Sequence, residues 1–181
     1  MTYKDSKWDE FKTSYLRTFG TEVPVYTPSV FKEFRGEIFT TFHSEKHPVM
    51  QNLESDISIH GRFSKSYQGV LRGMHYDNKT HKLVQAVMGD IYLVVLDVRP
   101  YSETYGKWEN FIISESNREQ VFIPAGFANG HYALTECMFH YNLFYQGSYI
   151  DAQDQGVIKW NDPKFHIEWP TKSPILQWRD Q

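Results

Sequence analysis

The chain has 181 residues and a formal net charge of -3, with basic and acidic side chains nearly balanced. That length suits one domain, residues 1–181, around a single sizeable core. The balance supplies no basic footprint for nucleic acid and no polybasic stretch for a membrane surface, so neither is expected as a partner. A single cysteine, Cys137, excludes an internal disulfide; lying in an apolar run, it reads as a buried thiol rather than a nucleophile.

Residues 1–12 are charged and lack the apolar stretch of a secretory signal, and no apolar run reaches the length of a bilayer span. The expected location is cytoplasmic. Trp8, Phe11, Tyr15 and Phe19 recur at spacings of three or four, and Gly20 follows as a stop signal. This pattern predicts a helical N-terminal extension over residues 1–20, capped by Asp5 or Ser6.

After Gly20 the pattern changes to short runs of β-branched and aromatic residues separated by turn signals. Strands are predicted over residues 36–42, 70–76, 81–88, 90–99, 107–114, 120–123, 131–135 and 138–146. Turns fall at Met88-Gly89-Asp90, Arg99-Pro100 and Pro124-Ala125-Gly126. The run Ile91-Tyr92-Leu93-Val94-Val95-Leu96 is apolar without alternation, which predicts burial of both its faces. Many short antiparallel strands at this spacing imply an all-β sandwich or barrel. Residues 151–181 show little periodicity and are expected to form an irregular C-terminal cover over it.

Arg72 and His75 share one predicted strand, three positions apart, and a flat strand would send them to opposite faces. A bulge at Gly73 would bring them to one site. Lys82 opens the next strand, and Tyr141 lies on a later one. If Tyr141 and His75 both face the interior, a base and a phenol oppose each other across a ligand. Taken singly, each has a plainer reading: a strand histidine is ordinarily a structural residue, a strand tyrosine ordinarily core, and an arginine beside a turn ordinarily solvated. Metal binding fits poorly. Position 77, two after His75, is aspartate, so no His-x-His pair forms and the ligand set is incomplete. Neither a metal nor another cofactor is expected.

Several stretches together resemble one family. They are Phe34-Arg35-Gly36-Glu37, Val70-Leu71-Arg72-Gly73-Met74-His75-Tyr76, Lys82-Leu83-Val84 and Ser102-Glu103-Thr104-Tyr105-Gly106-Lys107-Trp108. Ile123-Pro124-Ala125-Gly126-Phe127-Ala128, Trp160-Asn161-Asp162-Pro163 and Ile167-Glu168-Trp169-Pro170 follow in the same order. The chain from about residue 22 onward is similar to the dTDP-4-dehydrorhamnose 3,5-epimerases. That resemblance implies a cupin-like jelly-roll barrel that works without a metal. It also implies a homodimer that exchanges an N-terminal strand and acts on a nucleoside diphosphate 4-keto sugar. His75 would be the catalytic base, held by a carboxylate for which Asp180, in Leu176-Gln177-Trp178-Arg179-Asp180, is the candidate. Lys82 would stabilise the enolate, Tyr141 would act as general acid, and Tyr149 would be a second site tyrosine. Arg72, and Arg35 from a partner subunit, would hold the diphosphate.

The departures are as informative. Asn129 stands where the family has a histidine, and Leu93 where an aspartate is common. Asn129 would serve as a hydrogen-bond donor and leave His75 as the strong base. The segment that reads the base is replaced by His60-Gly61-Arg62-Phe63-Ser64-Lys65-Ser66. An arginine such as Arg62 can bind a purine edge bidentately. With His131 in the pattern Asn129-Gly130-His131, the chain resembles epimerases acting on GDP-4-keto-6-deoxy-heptoses in surface-polysaccharide synthesis. GDP, dTDP and CDP all stay open, as does inversion at C3 alone or at both C3 and C5. Two other classes stay open as well. A 4-keto-sugar ketoisomerase shares Arg72–His75 and Lys82 but lacks the stretches at 160–163 and 167–170. A non-catalytic nucleotide-sugar-binding barrel would bind without proton exchange.

Overall fold

A computed structural model describes residues 9–16 and 18–181. Two antiparallel sheets face each other. The first runs in the order β1 (Phe11–Leu16), β2 (Gly20–Pro28), β10 (Gln120–Ile123), β7 (His81–Met88), β12 (Cys137–Tyr145), β5 (Ser58–Ser66). The second runs β13 (Gly156–Val157), β6 (Leu71–Tyr76), β11 (Phe127–Ala133), β8 (Asp90–Asp97), β9 (Trp108–Ser114). A two-stranded hairpin, β3 (Phe31–Glu33) and β4 (Gly36–Ile38), stands apart. Apart from β1–β2 and β8–β9, strands that pair in the two sheets are not consecutive along the chain, as in a jelly roll.

The core between the sheets is built from the alternate residues that each strand turns inward. Ile91, Leu93 and Val95 of β8 meet Val84 and Ala86 of β7, with Phe139 and Cys137 of β12. Cys137 is fully buried, as expected, and burial pushes its thiol pKa up. The other face of β8 is covered too. Val94, Leu96 and Tyr92 pack with Phe165, Ile167 and Trp169 of the C-terminal segment. Trp108 Nε1 donates to the Phe165 carbonyl at 3.1 Å, and the Tyr92 hydroxyl donates to the Glu168 carbonyl at 2.7 Å. The unbroken apolar run of β8 therefore reflects a strand sandwiched between the barrel interior and an irregular cover. Each such fully buried aliphatic side chain contributes about 1.5–3 kcal/mol.

The predicted N-terminal helix is not what forms over residues 11–16. They make β1, pairing antiparallel with β2 from Phe11 opposite Pro28 to Leu16 opposite Gly20. Trp8 and the cap candidates Asp5 and Ser6 lie outside the described residues. Helical spacing of Phe11 and Tyr15 misled because a non-local partner strand was available, and pairing across β2 overrides local periodicity. Phe11 packs on the His47 ring at 4.2 Å, and Phe19 meets Phe127 edge-on at 5.2 Å. The strand expected over 36–42 ends at Ile38; beyond it, the Thr40 hydroxyl turns to Asp9 at 2.6 Å. Besides β1, four strands lie outside the predicted ones: Gly20–Pro28, Phe31–Glu33, Ser58–Ser66 and Gly156–Val157. Gly20–Pro28 carries two prolines, and Ser58–Ser66 is an edge strand whose sequence, SIHGRFSKS, has no apolar alternation.

Candidate active site

The site begins with an irregularity in β6. Asn129 on β11 stands opposite His75, and His131 stands opposite Arg72, so Gly73 and Met74 together oppose the single residue Gly130. That extra residue lets Arg72 and His75 face one cavity although they lie three apart. Glycine is required there. Gly73 has φ +118°, and a Cβ on it would come within 2.5 Å of the Gly130 Cα. Met74 turns the other way, fully buried under the C-terminal cover, and exchanges backbone hydrogen bonds with Ile158.

The C-terminal segment then supplies a carboxylate. Ile175 bonds with the edge of β6: its N–H donates to the Gly69 carbonyl at 2.8 Å, and its carbonyl accepts from Leu71 N–H at 3.0 Å. The short turn Trp178–Asp180 follows and carries Asp180 beneath His75. The His75 Nε2 lies 2.7 Å from Asp180 Oδ1, and Gln177 donates to Oδ2 at 3.2 Å. Asp180 is fully buried, which by itself would raise its pKa. Hydrogen bonds from His75 and Gln177 and from the Gly73 N–H, with the His75 charge, outweigh that and hold it below the usual carboxylate range.

On the facing sheet, Tyr141 of β12 lines the same cavity, and Lys82 of β7 is buried in its wall. Desolvation lowers the Lys82 pKa to about 8, opposed by the charge of Asp77. Its ammonium donates to Asn129 Oδ1 at 2.7 Å. The asparagine that replaces the expected histidine is therefore an acceptor toward Lys82, which leaves its NH2 as the donor. Tyr149 closes one side, with the Arg62 guanidinium 5.2 Å from its ring centroid. The His60 ring also meets Tyr149, edge-on at 5.1 Å. The enclosed space is about 220 Å³.

Of the residues singled out from sequence, the cavity gathers His75, Lys82, Tyr141, Asn129, His131, Tyr149, Arg62 and Arg72. Asp180 supports it from behind, and His60 touches it only through Tyr149. Arg35 is not brought there within one chain. It sits exposed at the β3–β4 turn, ion-paired with Glu33 at 2.5 Å. Arg179 was missed as a lining residue, although it adjoins Asp180 in the motif already noted; its Nη2 is buried with no hydrogen-bonding partner among the described residues. Gln155 was missed too, and no sequence pattern marks it. Among the described residues no three His, Cys, Asp or Glu side chains are grouped to hold a metal, and no helix is long and apolar enough to cross a membrane.

A jelly-roll barrel with this arrangement of imidazole, buried carboxylate, lysine and phenol defines a cupin-like nucleotide-sugar epimerase, an isomerase. The sequence model of dTDP-4-dehydrorhamnose 3,5-epimerase matches residues 20–181, and the chain belongs to that family. It is 34% identical over 176 residues to the dTDP-4-dehydrorhamnose 3,5-epimerase of Shigella flexneri, covering 91% of this chain and 93% of that one. It is 31% identical over 172 residues to the dTDP-4-dehydrorhamnose 3-epimerase of Streptomyces niveus, covering 92% and 81%. The solved structure of a 3,5-epimerase from Legionella pneumophila, in complex with dTDP-4-keto-L-rhamnose, superposes with a TM-score of 0.84. It is 27% identical and covers 94% of this chain and 90% of that one.

Proposed function

We propose that this chain inverts C3, C5 or both in a nucleoside diphosphate 4-keto-6-deoxy sugar in the cytoplasm, with His75 as the base. The observation that carries the reading is the 2.7 Å His75–Asp180 pair on one wall of a cavity whose facing wall bears Tyr141. A carboxylate only accepts hydrogen bonds, so His75 donates Nε2–H and keeps its lone pair on Nδ1. A ketone at C4 acidifies the neighbouring C–H bonds. Nδ1 takes one such proton, the C–H electron pair forms the enolate, and charge grows on the C4 oxygen. The Lys82 ammonium stabilises that charge as it develops. Tyr141 then delivers a proton to the opposite face of the same carbon and becomes a tyrosinate; the imidazolium, steadied by Asp180, gives its proton to solvent, and the tyrosinate takes one from solvent as the enzyme resets.

Two guanidiniums, Arg72 and Arg179, line the same cavity and suit a diphosphate, which prefers planar bidentate donors. Arg35 would add a third from a partner subunit in a homodimer. For the base, we favour GDP on a heptose, because the Arg62 guanidinium, held beside the Tyr149 ring at 5.2 Å from its centroid, can offer two parallel donors to a purine edge. The relatives' names specify dTDP sugars, which makes dTDP the direct rival. The reaction is tested by incubating the protein with a 4-keto sugar nucleotide in deuterium oxide. Deuterium should enter C3 or C5, and its absence from both would sink the assignment. Isothermal titration with GDP, dTDP and CDP decides the nucleotide; tightest binding of dTDP would overturn GDP.

A further inference from the structure

Two buried polar atoms of cavity-lining residues, Arg179 Nη2 and His131 Nε2, have no hydrogen-bonding partner among the described residues, and the second is a neutral group that a diphosphate would not satisfy. His131 and Arg72 are register partners next to the Asn129–His75 pair, and on the facing sheet Phe139 and Ser64 pair two positions from Tyr141 and Arg62. The His131 and Phe139 rings stack at 4.3 Å with 23° between their planes. This layer therefore bridges the two sheets one step from the reacting groups, where the cavity meets the apolar core. On its other side, His131 is paired with Leu93 of β8. His131 is only 5% exposed, lines the cavity, and its Nε2 has no hydrogen-bonding partner among the described residues.

A buried ring nitrogen without a partner is costly and rare, and it persists where a ligand completes it. The chemistry of that ligand is constrained. Burial pushes the His131 pKa down to about 3, and the charges of Arg72 and His75 push the same way against the weaker pull of Asp180. The ring is neutral at working pH, so at Nε2 it offers a single N–H or a single lone pair and no charge. A phosphate or carboxylate gains little from such a group, whereas a hydroxyl, which both donates and accepts, suits either tautomer.

We propose that His131 Nε2 hydrogen-bonds one hydroxyl of the sugar, and that this bond makes His131 a specificity-determining residue. The inference rests on the epimerase reading above. It is tested with four probes on the nucleotide that binds tightest: the 4-keto-6-deoxy-heptose favoured above and its 2-deoxy, 3-deoxy and 7-deoxy analogues. Solvent deuterium incorporation is followed in the wild type and in His131→Phe, which keeps the stacking on Phe139 and removes the nitrogen. Loss of one particular hydroxyl should lower kcat/KM about 10–100-fold in the wild type and less than about threefold in the variant. The variant should also melt a few degrees higher, because the unpaired atom is gone. If every hydroxyl is worth the same in both proteins while exchange proceeds, the inference is overturned and the epimerase reading stands. If the wild type exchanges none of the probes, both fall. Should His131→Phe fail to fold, His131→Leu carries the same comparison.

Discussion

His75 and Asp180 lie 105 positions apart in the chain, yet His75 Nε2 and Asp180 Oδ1 meet at 2.7 Å. The contact exists because the C-terminal segment bonds along the edge of β6 and then turns inward at Trp178–Asp180. Replacing His75 by Asn should lower solvent exchange by about 10²–10⁴-fold, and the melting temperature should fall as well because the buried Asp180 carboxylate loses its main donor. Asp180→Asn should cost about 10²-fold or more, because an amide cannot enforce the tautomer or steady the imidazolium.

The same pair predicts an acid signature. Asp180 sits below its ordinary value of 3.8 in the folded protein, so it contributes stability above the unfolded-state value. That contribution is lost as pH falls through the lower, folded value. Denaturation midpoints measured from about pH 5 downward should therefore fall more steeply for the wild type than for Asp180→Asn. Parallel curves would contradict the assignment.

Lys82 predicts an alkaline limit. With its pKa lowered to about 8, the ammonium loses its proton just above neutrality, and the kcat/KM profile should fall with a midpoint near pH 8. Asn129→Asp places a carboxylate beside the ammonium and should move that limb to higher pH. In stability the sign is opposite to activity. The folded value lies below the unfolded one, so the stability linked to this group is full above pH 10.5 and is lost as pH falls through about 8. Lys82→Met should therefore melt a few degrees higher at neutral pH while losing exchange activity.

Gly73→Ala tests the bulge that brings Arg72 and His75 to one cavity. The added Cβ would meet Gly130 Cα at 2.5 Å, in a backbone region that side chains rarely adopt. We expect a loss of at least about 2 kcal/mol in chemical denaturation. Near-native stability would show that the strand can flatten without cost.

Asp97 tests a structural role for the run Ser102–Lys107. Its carboxylate, fully buried, accepts from Arg99 Nη2 at 2.7 Å, Ser102 Oγ at 2.5 Å and Thr104 Oγ1 at 2.6 Å. These donors outweigh the effect of burial and hold its pKa well below the usual range. Asp97→Ala removes the acceptor of the Ser102 and Thr104 hydroxyls and one partner of Arg99, which keeps Glu22 at 2.7 Å, and should cost about 1–3 kcal/mol in urea denaturation. At temperatures where the variant stays folded, the exchange rate should survive, since none of these groups lines the cavity around His75.

Local sequence carried much of the barrel. The apolar run of β8 announced a strand buried on both faces, and glycine at 73 announced where β6 could bulge, because both depend on side-chain character within a few residues. The motif order carried the family and, through it, His75, Lys82, Tyr141 and Asp180 as candidates. Local pattern failed where a distant partner decided the outcome. Residues 11–16 joined β2 in a strand despite helical spacing, and the polar stretch Ser58–Ser66 became a strand by pairing along all nine residues of β12.

The sequence alone therefore determined the all-β class, the family and the chemical types available for the reaction, because these follow from composition, periodicity and ordered motifs. Only the tertiary structure decided which of those groups meet. It set Asp180 beneath His75, turned the Asn129 side-chain oxygen to Lys82, and left His131 Nε2 in the wall with no partner among the described residues. These relationships join residues from different strands and the C-terminal cover. They arise from how two sheets close over one core, which no local window of sequence contains.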